Sequence, residues 1–126
     1  MMYKRLFLAS LTCLFFSLIL LTSCQKGYEC TGIVFTYVED EKTGAKTPVG
    51  ACQLTIGDIS FAEEMYREVV TNASGYYEGT WIREAYLLVE AIKPLNEEQY
   101  LYGIGYLDLV LKNKTELSIP MEVKNY

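Results

Sequence analysis

Seven short runs of β-branched, aromatic and aliphatic residues, separated by polar or Gly/Pro-containing breaks, constrain this 126-residue chain more than any other feature. They cover 28–38, 51–56, 67–71, 76–80, 86–92, 106–111 and 116–123. In the second run Cys52, Leu54 and Ile56 alternate with Gln53 and Thr55, the period of a half-buried strand. Runs rich in Val, Ile, Thr and Tyr and bounded by turn residues read as strands. Seven of them in about a hundred residues predict an all-β chain, an antiparallel β-sandwich.

The breaks carry their own signals. Residues 39–48 form a polar loop punctuated by Gly44 and Pro48, and 72–75 reads as a turn. Ser60-Phe61-Ala62-Glu63 has the pattern of a capping box, and Phe61, Met65 and Val69 fall at helical spacing. A short helix or turn is therefore expected within 57–68. Pro94 opens an irregular stretch in which 95–100 has room for one helical turn. Pro120 lies inside the last run, which suits an edge position or a bulge.

The first 23 residues are of another kind. Lys4 and Arg5 precede an apolar run over 6–21, which is shorter than the roughly 20 residues a spanning helix needs. Small residues follow, completing the layout of a secretory signal peptide. Leu21-Thr22-Ser23-Cys24 resembles the lipobox of bacterial lipoproteins. That resemblance implies cleavage before Cys24, an anchor of acyl chains such as palmitate on Cys24, and a place in the cell envelope. Gln25, standing where an aspartate would retain the protein, implies the outer membrane, facing the periplasm or the cell surface. The expected organisation is 1–23 signal peptide, 24–27 lipidated tether and 28–126 β-sandwich domain.

The mature chain has nine basic and 16 acidic residues, a net charge of −7 without basic clusters. That argues against nucleic acid, which is bound largely by neutralising phosphates. The chain has no histidine, so histidine triads and histidine metal sites are excluded. No carboxylate pair stands out for acid–base chemistry, and no catalytic residue, metal or cofactor is expected. Glu39-Asp40-Glu41 reads as a solvated loop. Calcium would need about six to eight oxygens, with Asn72 and Ser74 as additional donors. Cys30 and Cys52 fall on apolar phases, either as two small core residues or as a disulfide in an oxidising compartment. Trp81, near Tyr76 and Tyr77, packs the core or offers a sugar-stacking platform.

Three segments then line up with a known family. Gly32-Ile33-Val34, Thr47-Pro48-Val49-Gly50-Ala51 and Thr71-Asn72-Ala73-Ser74-Gly75-Tyr76-Tyr77 resemble the carboxypeptidase regulatory-like, transthyretin-like domains. Tyr86-Leu87-Leu88-Val89 matches their later Tyr-x-Leu strand loosely. The chain departs from the pattern at Asn72, where the family has aspartate. It departs again at Trp81-Ile82-Arg83-Glu84-Ala85, in place of Leu-Pro-x-Gly. The resemblance implies a seven-stranded Greek-key sandwich without catalytic residues, acting as an accessory binding or adaptor module. The expected partners are the membrane through the anchor, and an envelope protein or a glycan.

Only Gln25-Lys26-Gly27 separates Cys24 from the first run, so the domain should lie against the membrane. Reversing strands put 57–64, 81–84 and 112–115 at the near end. The far end takes 39–48, 72–75 and 94–105. Trp81, Lys26, Arg83, Lys112 and Lys114 would face headgroups. The far-end loops, with Glu39, Asp40, Glu41, Asn72, Ser74, Glu97 and Glu98, would present the binding surface.

Overall fold

The computed structural model describes residues 29–126. The leader, Cys24 and the tether lie outside the described residues. The described residues form nine strands in two sheets: β1 (Cys30–Glu39), β2 (Lys46–Pro48), β3 (Gln53–Ile56), β4 (Arg67–Val70), β5 (Tyr76–Trp81), β6 (Ala85–Pro94), β7 (Gln99–Leu109), β8 (Lys114–Pro120) and β9 (Glu122–Asn125). The all-β, two-sheet architecture expected from the alternation is present. In the first sheet β1 is central. It takes β5 and β2 one after the other along one edge and β8 along the other. The second sheet runs β4-β3-β6-β7-β9.

Two features of the expected sandwich are corrected. First, the strand count is nine among the described residues rather than seven, partly because of Pro120. Proline has no N–H to continue a ladder. β8 ends there, the Met121 N–H donates to Tyr37 O, and β9 joins β7 in the other sheet. One sequence run thus serves two sheets. The small strand β2, inside the expected loop, supplies the other addition by pairing 37–39 with 46–48. Second, the pairing is not wholly antiparallel, because β1 and β8 run parallel, Thr31 opposite Lys114 through Tyr37 opposite Pro120.

β7 is longer than expected. It begins at Gln99, in the stretch read as irregular. Gly103 and Gly105 occupy its core phase with Leu101 and Leu107. They make room for β8: a Cβ on Gly103 would lie 2.5 Å from Ile119 Cγ2 and 2.7 Å from Pro120 O. These glycines are packing residues within a strand. The expected helical turn at 95–100 is instead a tight connection in which Asn96 Oδ1 accepts the Glu98 and Gln99 N–H groups.

The Thr47–Ala51 and Thr71–Tyr77 motifs interlock with β1 around one buried residue, Thr36. Its N–H donates to Gly75 O, its carbonyl accepts from Val49 N, and its Oγ1 donates to Val49 O at 2.8 Å. Cys52 N donates to Thr71 Oγ1, Thr71 N to Cys52 O, and Ala51 N to Asn72 O. Gly75 has φ +82°, and a Cβ there would meet Thr36 O at 2.7 Å, so the turn demands glycine. The core between the sheets includes Val34, Leu54, Ile56, Trp81, Val89, Leu107, Leu109 and Ile119.

Cys30 and Cys52 are both buried and unbridged, in keeping with the first of their two readings, small core residues. Cys30 starts β1 opposite Trp81. Cys52 Sγ and Thr36 Oγ1 both address Val49 O. Thr36 lies six residues up β1 from Cys30, about 20 Å at strand rise. A bridge needs Cα atoms within about 7 Å. Burial, aided by Glu84, pushes the Cys30 thiol up from its ordinary pKa, as suits a small core residue.

Candidate interaction surface

The two ends divide as strand reversal requires. Trp81 stands opposite Cys30, and the Lys112 N–H donates to Glu29 O, so both lie where the chain enters the domain. At the other end Glu39, Asp40 and Glu41 line a groove of about 450 Å³ with Glu122, Gly44, Pro120 and Met121. Asn72 and Ser74 lie outside it: Asn72 Oδ1 accepts the Ser74 and Tyr76 N–H groups and closes its own turn. Glu97 and Glu98 sit apart too, in the β6–β7 connection. The seven far-end residues therefore divide among three loops.

Trp81 is 2% exposed, which corrects its reading as a sugar platform and as a headgroup contact. Its indole Nε1–H donates to Met65 O at 3.2 Å, and the Arg67 guanidinium lies 4.0 Å above its ring. Arg67 is itself held by Tyr77 Oη and Thr80 O. The arrangement caps one end of the core with a satisfied indole and a stacked cation.

The expected helix within 57–68 is a single 3-10 turn, Glu63–Met65. Asp58, not Ser60, organises its approach, accepting both the Ser60 hydroxyl at 2.7 Å and the Ser60 N–H at 2.9 Å. These bonds hold the Asp58 carboxyl below the ordinary carboxylate range. Without a helix, Phe61 has no shared face with Met65. Met65 is buried, while Phe61 is 93% exposed.

A further exposed surface, which the sequence does not single out, is the outer face of the five-stranded sheet. Register places Tyr86, Leu88, Glu90 and Ile92 of β6 beside Asp108, Tyr106, Ile104 and Tyr102 of β7. Tyr86 and Tyr106 are 69% and 54% exposed, and their rings stack in parallel with centroids 5.1 Å apart. Tyr100 packs on Tyr126 at 4.8 Å, extending the aromatic surface toward β9. Tyr102 Oη donates to Glu90 Oε2 at 3.4 Å, and burial together with Glu90 raises its pKa. This tyrosine thus stays neutral and keeps its donor near pH 7. The face is continuous across both strands, because β6 and β7 pair without interruption from Ala85–Leu109 to Pro94–Tyr100. Its signal was present in the sequence. Apart from Glu90, both phases of 86–92 and 100–107 are apolar, aromatic or glycine, so one largely apolar phase of each must face solvent in a two-layer fold.

Chemically the face suits docking. It offers stacked rings, branched aliphatics and a few hydroxyl donors, the mixture that anchors interfaces. No group of three or more His, Cys, Asp or Glu placed to hold a metal occurs among the described residues. No helix among them is long and apolar enough to cross a membrane. Comparison with family models, with characterised proteins and with solved structures gives no match to this chain.

Proposed function

We propose that this chain is a non-enzymatic lipoprotein of the bacterial outer membrane. It is anchored by acyl chains on Cys24 and docks an envelope protein on the aromatic face of its five-stranded sheet. The observation that carries the docking role is that face: Tyr86, Tyr106, Ile104 and Val70 are exposed on strands whose other phase fills the core. Contiguous exposed apolar surface of this kind marks interaction sites. The anchor rests on the leader and Leu21-Thr22-Ser23-Cys24. The Greek-key, transthyretin-like reading rests on the motif residues. It is supported by their mutual hydrogen bonding around Thr36, which gives a physical reason for that spacing.

A photo-reactive residue placed at Ile104, and separately at Ser118 on the other sheet, tests the docking in intact cells. A protein adduct of discrete mass from Ile104 and none from Ser118 is expected. Adducts of equal yield from both positions, or from neither, would refute it. Glycan arrays probed with the wild type and with a Tyr86→Ala/Tyr106→Ala variant form the second arm. Binding there, lost in the variant, would replace the protein partner with a glycan.

A further inference from the structure

We infer that the end of the sandwich where the chain enters is a membrane-inserting apolar tip, built by Ile59, Phe61 and Ile82. The inference rests on the lipid-anchor reading and adds a second, noncovalent attachment to it. Phe61 is 93% exposed, Ile82 70% and Ile59 58%, and Val110 is also exposed. They come from three separate connections, β3–β4, β5–β6 and β7–β8, which the topology gathers at one end. Phe61 and Arg83 line the same hollow of about 430 Å³, and Arg83 pairs with Glu64. That pair, between half-exposed side chains, links the Ile82 loop to the 3-10 turn that follows Phe61.

The occupant follows from chain length. Five residues lie between Cys24 and Glu29 counting the latter, and whatever their conformation they reach at most roughly 18 Å. An acyl-anchored Cys24 therefore keeps this end within one leaflet's depth of the bilayer, and the opposite end away from it. Exposed Phe and Ile side chains beside a covalent lipid add buried apolar area, on which the strength of interfacial attachment depends. The charges at this end disfavour an electrostatic alternative. Five acids, Glu29, Asp58, Glu63, Glu64 and Glu84, outnumber the four bases Lys26, Arg83, Lys112 and Lys114, and two of those bases are already paired, Arg83 with Glu64 and Lys114 with Glu78 at 3.1 Å. The basic headgroup contact expected from the sequence gives way to an apolar one, and the lipid it fits is neutral phospholipid rather than anionic.

The test uses the full processed chain in phosphatidylethanolamine/phosphatidylcholine vesicles, with an environment-sensitive fluorophore on Phe61→Cys, Ile82→Cys or Ser74→Cys. Cys30 and Cys52 are fully buried and do not compete for label. Blue-shifted emission and quenching by lipid-borne nitroxide are expected at positions 61 and 82 and not at 74. Both should persist at high salt and weaken when phosphatidylglycerol is added. An Ile59→Ser/Phe61→Ser/Ile82→Ser variant carrying the label at Val110→Cys should lose at least about tenfold in nitroxide quenching. Water-like emission at 61 and 82, in a chain whose mass shows acylated Cys24, overturns the inference and leaves the anchor reading standing. A mature chain with unmodified Cys24 overturns both. Emission shifts that depend on protein density and not on nitroxide depth assign the tip to a second copy of the chain, and also overturn it.

Discussion

Replacing Trp81 with phenylalanine separates a core indole from a surface one. The substitution keeps one ring in the core but removes the Nε1–H that donates to Met65 O and shrinks the surface beneath the Arg67 guanidinium. A hydrogen bond of this kind is worth about 1 kcal/mol, and more if the carbonyl is left unpaired. The smaller ring weakens the cation–π contact by a fraction of its roughly 1–2 kcal/mol. The missing ring atoms leave a void in a side chain that is 2% exposed, adding about 1 kcal/mol. Together these predict a loss of about 2–3 kcal/mol, which for a domain of this size lowers Tm by roughly 10–20 °C. Trp81→Ala should cost about 3–5 kcal/mol. Thermal and urea unfolding followed by far-ultraviolet circular dichroism measure both, since Trp81 is the sole tryptophan and its fluorescence disappears with it. A Tm within about 2 °C of wild type for Trp81→Phe would refute the buried, hydrogen-bonded indole, because a surface aromatic costs little to shorten.

Gly75→Ala should destabilise by about 2 kcal/mol or more, since it combines φ +82° with a Cβ 2.7 Å from Thr36 O; urea midpoints measure it. The Asp58 pKa in the folded state lies below its ordinary 3.8, so its contribution to stability is present above that value and fades as pH falls through the folded pKa. Ser60→Ala should move the Asp58 titration, followed by NMR, part of the way back toward 3.8 and weaken that pH dependence, because the Ser60 N–H bond remains. The Cys30 thiol titrates above its ordinary 9.0 in the fold, so stability should decline as pH rises past 9.0, and Cys30→Ala should flatten the decline in urea titrations. Dithiothreitol should leave Tm unchanged and thiol reagents should label Cys30 and Cys52 only on unfolding, because neither is bridged or exposed.

The all-β layering was legible because it depends on local alternation. Gln53–Ile56 folds as a strand with Leu54 and Ile56 inward as expected, and the Asn72–Gly75 turn closes on its own side chain, as its composition indicates. Chain-entry geometry was legible too, because strands that reverse at each turn put Trp81 and Lys112 at the Glu29 end. What a residue faces across the sandwich was not. Gly103 and Gly105 fell in the stretch read as irregular and are instead strand residues, the low points that admit Ile119 and Leu117. Phe61 read as sharing helical spacing with Met65 and is instead exposed while Met65 is buried, because Asp58 and not Ser60 arranges the turn. Trp81 read as core packing ahead of a platform, and the positions of Met65 O and Arg67 show what holds it there.

By itself, then, the sequence determined the strand-and-turn pattern, the acidic charge and the short covalent path from Cys24 to the fold, since each is set by neighbours along the chain. Tertiary structure alone decided that the last run divides between two sheets and that β1 pairs in parallel with β8. It also decided that Cys30 and Cys52 sit far apart, that Tyr86 and Tyr106 stack in the open, and that Ile59, Phe61 and Ile82 gather at the entering end. Each of these depends on contacts between residues distant in the chain, which a period-two pattern does not encode: it gives every strand two faces and leaves the choice of inward face and neighbour to the packing of the whole.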